Sequence, residues 1–319
     1  MAANVASHLW HWLSDVVVRI SDLSVYWLVL ALALKTAESA LIGLGWRNIL
    51  RAAYPSSALS FKTAWGASQG GTAINAVTPA QAGTAAMIGI FRRSIPGSSV
   101  SGLAAATIVQ SLFFTAVSVL MVIAAGVARP RTVSKGSPSN ETGGFVSSHP
   151  YAVGLGVVVI VAVLYYLRPR IETWVKTEWL KAKEGAKVFS DPMRYARQVA
   201  LPSAGSYCCR TGVNVTFMAA FGIPITAFTV FLIASSHMLS QLFAITPGGV
   251  GQTQALDVAT LRGYGTASGI AAFSITQDSV ITIWNVVLGV IVAVWAFGFG
   301  QVLGSIRRKP RVAASSPGS

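Results

Sequence analysis

Long unbroken apolar runs constrain this chain more than any other feature, above all those at 26–45, 100–127 and 275–303. Each is long enough to cross the hydrocarbon core of a bilayer as a helix, which takes about 20 residues. Lipid offers the backbone no hydrogen-bond partner, so such runs fold as helices or as strands of a closed barrel. Barrel strands are about ten residues long and alternate in polarity; these runs are longer and do not alternate. The composition agrees, with 53% hydrophobic and 11% charged residues, against roughly 25% charged in soluble domains. The expected fold class is an all-α polytopic membrane protein in the cell membrane. The net charge of +14 does not call for nucleic acid as a partner, because basic residues collect on the cytoplasmic side of membrane spans.

Other segments are less regular. The run at 151–167 reads as a span, and 199–221 as a weaker one that carries Arg210 and Asn214. The runs at 61–78 and 225–246 end in almost the same phrase, "AVTPAQAG" at 76–83 and "AITPGGVG" at 244–251. Proline lacks an N–H and disfavours helix at the residue before it, so each phrase ends a helix. The glycines permit a turn and close backbone approach. The segments that follow, 83–91 and 250–261, are too short to span alone.

Charge then orients the chain. The segment 168–197 and the tail carry the densest basic residues, so both are placed on the cytoplasmic side, with the C-terminus. Arg47, Arg51, Lys62, Arg92 and Arg93 fall on that side too, and Arg19, Arg129, Arg131, Lys135 and Arg262 on the other. The arrangement closes only if the two short pairs do not cross. Each then forms a re-entrant helical hairpin with its Thr-Pro phrase at the tip, one from each face. This is an inverted repeat, a transporter signature. The transmembrane domain is expected over 25–304, with a first repeat at 25–128, a connector at 151–198 and a second repeat at 199–304. Residues 1–24 form an amphipathic segment, at the membrane surface or packed on the bundle. Residues 305–319 form a basic disordered tail.

Several phrases carry a family resemblance. "PGGVGQTQALDVATLRGYG", "GWRNILRA" and "GGTAINAVTPAQAGTAAMIGIFRR" resemble phrases of the flippase-like family named for the lysylphosphatidylglycerol synthase transmembrane region. The resemblance runs from about Tyr26 to Leu303. It implies a membrane domain that moves lipids or lipid-linked headgroups between leaflets, or assists enzymes that use them. The family commonly places Arg, Glu and Arg around the first tip, where this chain has Gln81, Thr84 and Met87. Gln254 stands where the family has Glu after Pro-Gly-Gly. A neutral or sugar-bearing headgroup suits such a lining of amides and hydroxyls.

The candidate headgroup site is therefore the two tips: Asn75, Thr78, Pro79, Gln81 and Gly83 on one, and Thr246, Pro247, Gly248, Gly249, Gly251 and Gln254 on the other. Half-helix N-termini at Ala82 and Val250 add positive dipole ends that favour an anion. The competing reading of these polar groups is glue between helices. Arg210 suits a lipid phosphate, or snorkels to the inner surface. Lys35 and Glu38 share one helix face inside the first span; they form a gate or headgroup contact, or a self-satisfied pair. Asp257 and Asp278 are candidate proton or cation sites, with Asp278 expected nearer the outer surface. His237 reads as a hydrogen-bonded core residue.

Neither a metal-ligand cluster nor a cofactor motif is found, and Cys208 and Cys209 read as small apolar residues. With no nucleophile–base pair in view, the chain does not read as an enzyme. It reads as a transporter-like protein that flips a lipid or lipid-linked headgroup, with membrane lipids as partners. The alternative is a non-transporting subunit that docks a glycosyltransferase or a lipid-modifying enzyme. The topology makes a direct prediction. Single cysteines at Ser94 and Gly265, introduced into a Cys208→Ser/Cys209→Ser background, should be labelled by an impermeant maleimide from opposite faces. Labelling of both from one face excludes two opposed hairpins.

Overall fold

The computed structural model describes residues 24–78, 82–127, 192–242 and 251–298. The amphipathic segment before Ser24, the connector up to 191 and the tail lie outside the described residues. So do Pro79 and Gln81 at the first phrase, and Thr246, Pro247, Gly248 and Gly249 at the second.

All regular structure among the described residues is helical. The helices are α1 (Val25–Ala53), α2 (Phe61–Val77), α3 (Ala82–Ser94), α4 (Val100–Val127), α5 (Leu201–Ala220), α6 (Ala227–Leu242), α7 (Gln252–Thr260) and α8 (Ala267–Phe297). A helical turn, Pro192–Tyr195, and a π-helical turn, Ala196–Ala200, lead into α5. Among the described residues, three stretches are long and apolar enough to cross a membrane: α1, the Val100–Val117 part of α4, and α8. Their exposed side chains include Val29, Ile108, Val290, Ile291 and Trp295, as a lipid-facing surface would require.

Local chemistry accounts for the boundaries. Ser60 starts α2, its hydroxyl accepting from Thr63 N at 3.0 Å, and Thr266 starts α8 in the same way toward Gly269 N at 3.1 Å. Such caps satisfy N–H groups that a first turn leaves unpaired. Thr78 has left the helix for extended backbone, φ −122° and ψ 143°, as the following proline demands. Gly222 closes α5 at φ +66°, with Ile223 N bonded back to Met218 O at 2.9 Å.

Two boundaries differ from expectation. The helix of the second short segment begins at Gln252, not Val250, behind Gly251 at φ +87°. The last helix begins at Ala267 rather than near Ile275, because the Thr266 cap lies upstream of the apolar run. Hydropathy marks where a helix meets lipid, not where its hydrogen bonds start.

Packing is led by two antiparallel pairs, α2 with α8 and α1 with α5. Small residues make the first possible. A Cβ on Gly66 would lie 2.4 Å from Ala296 Cβ, and one on Gly289 2.4 Å from Ala73 Cβ. In the second, Gly205 and Gly212 seat Leu41 and Leu34. Helix α2 also packs on α3, α6 on α7, and α6 on α4. One buried core gathers Trp46, Ile49, Leu50, Phe91 and Leu103. Another gathers Phe217, Met218, Ile233, Leu261 and Phe273.

The tightest approach joins α2 to α3, where a Cβ on Gly83 would lie 1.9 Å from the Gly71 carbonyl oxygen. Gly83→Ala should lower stability by about 3 kcal/mol, the upper part of the overpacking range, because the obstacle is backbone. A Cβ on Gly70 meets nothing within 4 Å, so Gly70→Ala should be neutral or stabilising by up to about 1 kcal/mol. Thermal unfolding in detergent separates the two. Equal midpoints would contradict the α2–α3 contact.

Candidate functional site

The first cluster centres on Glu38, whose side chain is 1% exposed. Lys35 Nζ, one turn earlier on α1, donates to its Oε2 at 2.9 Å. Arg210 Nε, from α5, donates to its Oε1 at 2.9 Å, and Arg210 Nη2 lies 2.9 Å from the same oxygen. The guanidinium also sits 5.3 Å from the ring centroid of Phe114 on α4. Lys35 and Glu38 do pair on one face. Arg210 does not stand alone as a phosphate ligand, since Glu38 occupies part of its fork. Two cations on one carboxylate leave a surplus positive charge, and Arg210 remains 36% exposed.

Neighbouring positions on α1 reach two other helices. Ser39 Oγ donates to Gln69 Oε1 at 2.5 Å and accepts from Trp65 Nε1 at 2.8 Å, both on α2. Gln69 Nε2 continues to the Asn285 carbonyl on α8 at 3.3 Å. Thr36 Oγ1 accepts from Trp284 Nε1 on α8 at 3.1 Å.

The second cluster centres on Asp257 of α7, which is fully buried. Its Oδ1 accepts a short hydrogen bond from Ser236 Oγ on α6. Its Oδ2 accepts from Ser274 Oγ on α8 at 2.6 Å and lies 3.4 Å from His237 Nε2 on α6. Asp278 lies roughly three turns inside α8 and is half-buried. Its Oδ2 accepts from Gln254 Nε2 at 2.9 Å. The Gln254 Oε1 in turn accepts from Gly251 N, so one amide ties α8 to the start of α7. Ser240 and Thr253 hydroxyls meet at 2.6 Å between α6 and α7.

At the first phrase, Asn75 Oδ1 accepts from Gly83 N at 2.7 Å and its Nδ2 faces Thr84 Oγ1 at 3.3 Å. Thr78 Oγ1 bonds back to the Ile74 carbonyl at 2.6 Å. Asn75, Thr78 and Gly83 thus serve the α2–α3 junction, and Gly251 and Gln254 the start of α7.

The sequence reading missed Ser236, Ser240, Ser274 and Gln277. Gln277 Nε2 donates to Asn214 Oδ1 on α5 at 2.7 Å. A signal was present. Ser236 and Ser240, and Ser274 with Gln277 and Asp278, recur at spacings of three and four within apolar helices, which marks one polar face.

The family model described as "Lysylphosphatidylglycerol synthase TM region" matches residues 5–306. No curated protein and no solved structure matches the chain. Glu38 supplies the test of the first cluster. Glu38→Gln should cost about 2–4 kcal/mol, the usual loss for breaking a buried ion pair lessened by water access to Arg210. Adding Arg210→Met should recover part of it, because the uncompensated charge goes too. A double variant no more stable than Glu38→Gln in thermal unfolding would mean that the pair carries little of the α1–α5 contact.

Proposed function

Since the chain belongs to the lysylphosphatidylglycerol synthase transmembrane-region family, we propose that it moves a lipid or lipid-linked headgroup between leaflets and is not itself an enzyme. The observation that carries this reading is the recurrence of one arrangement in both halves of the chain. In each half a Thr-Pro phrase separates two short helices that pack on each other, α2 with α3 and α6 with α7. The helices that lead the two halves, α1 and α5, pack antiparallel through Glu38 and Arg210. The cross-contacts correspond as well, α2 with α8 and α6 with α4. These correspondences support an inverted repeat with two re-entrant hairpins. Broken helices are tolerated at membrane depth only where protein or a cavity covers them, and in transporters that is where substrate binds.

The headgroup site in this reading lies at the tips, with Gln81, Gly248 and Gly249 offering an amide and backbone N–H groups, while Gly83 N, Gly251 N and the Gln254 amide hold the helix junctions. The surplus positive charge of Lys35 and Arg210 attracts the phosphate that any phospholipid or lipid-linked diphosphate carries. The C-terminus is cytoplasmic, and movement proceeds by rocking of one half against the other.

Pro79→Ala and Pro247→Ala should each abolish transbilayer movement of a fluorescent phospholipid in reconstituted vesicles while leaving expression and monodispersity intact. Movement unchanged in both variants would favour the non-transporting subunit that docks a lipid-modifying enzyme.

A further inference from the structure

Among the described residues the carboxylates are Glu38, Asp257 and Asp278. Glu38 is over-compensated by two permanent cations. Among the described residues the other two carboxylates have no such partner: the ion-pair partner of Asp257 is His237, and Asp278 is held by the Gln254 amide. His237 contacts Asp257, and Asp278 lies one turn beyond Ser274, on the same face of α8. The charged groups on the packed elements are Asp257 on α7, Asp278 on α8 and Arg210 on α5, while the described part of α4 carries no charge.

We infer that His237, Asp257 and Asp278 form the proton-carrying site that couples lipid movement to a proton gradient. This rests on the proposed flipping function and adds its energy source. The physical argument begins with Asp257. Its side chain is fully buried, and a carboxylate in that position is costly unless a partner balances it. Ser236 and Ser274 each contact one of its oxygens but bring no charge. Balance comes only from a proton on the imidazole, whose Nε2 faces Oδ2. With that proton aboard, Asp257 and His237 are jointly neutral and α6, α7 and α8 pack closed around them. When the proton leaves, an unpaired charge remains among three helices, and separating α7 from them to admit water relieves it. Asp278 is the half-buried group through which the proton passes. Its hydrogen bond to Gln254 links it to the start of α7, beside the second Thr-Pro phrase. No bond other than N–H and O–H is made or broken, and one proton enters and leaves per cycle.

The group facing the Asp257 oxygens is a proton carrier, which favours a proton over a sodium ion as the coupling species.

The test uses the full chain in vesicles of mixed phosphatidylethanolamine and phosphatidylglycerol that carry a fluorescent phospholipid. A pH gradient should change the wild-type transfer rate several-fold, and a protonophore should remove the change. Asp257→Asn and His237→Gln should each lose the response. Wild-type transfer indifferent to the gradient, a response kept in both variants, or transfer driven by a sodium gradient at equal pH would each overturn the proton site while leaving flipping intact. Wild-type vesicles that move no lipid under any gradient overturn flipping itself. The proton site is then decided by thermal unfolding in detergent across pH. The wild-type midpoint should fall as pH rises and strips the proton from His237, and the midpoints of both variants should fall less, because only Asp278 and the surface groups still titrate in them. A wild-type fall no larger than theirs rejects it.

Discussion

A carboxylate inside an apolar helix stays charged only if cations come to it, and Glu38 is where this bundle meets that demand. One cation, Lys35, is on its own helix and costs the fold little to recruit. The other, Arg210, must arrive from a distant segment of chain. Satisfying Glu38 therefore helps set the register of α5 against α1, whose antiparallel direction the Gly205–Leu41 and Gly212–Leu34 contacts carry. The adjoining residues Thr36 and Ser39 then extend polar contacts to α8 and α2. Within little more than one turn, α1 is tied to three other helices. Between apolar helices in lipid there is no hydrophobic drive to associate, so hydrogen bonds and close packing have to supply specificity.

Close packing supplies the rest. Gly66, Gly71, Gly83 and Gly289 let backbones approach where a side chain would collide. The paired short helices α2 and α3 meet through such contacts and through Asn75. Around α7 the same purpose is served by hydroxyls and amides from Ser236, Ser240, Thr253, Ser274 and Gln254. One half of the bundle is closed by shape and the other by buried polarity. The polar half is also the one that holds a titratable pair.

Charge is distributed unevenly as a consequence. The α1–α5 contact carries more cation than anion, and the α6–α8 region more anion than cation. In a low-dielectric interior such imbalances are not averaged away by solvent, so each invites a mobile partner. In the proposed mechanism an anionic headgroup answers the first and a proton the second. A family of membrane domains associated with lipids gives both a common setting.

The sequence alone determined the class of fold and the approximate extents of the helices among the described residues. Length and apolarity are properties of one segment, and a backbone without water has few alternatives to helix. It also marked Lys35 with Glu38, and the end of α2 at Thr78, because spacing along one helix and the geometry of proline are local. Asn75, Gly83, Gly251 and Gln254 were singled out as tip residues, though not the contacts they make. The partner of Glu38, the contact of Asp278 with Gln254 and the gathering of Ser236, His237 and Ser274 around Asp257 were decided by the tertiary structure. Those depend on which helix face meets which, and that is set by the match of small residues and polar groups across segments far apart in the chain.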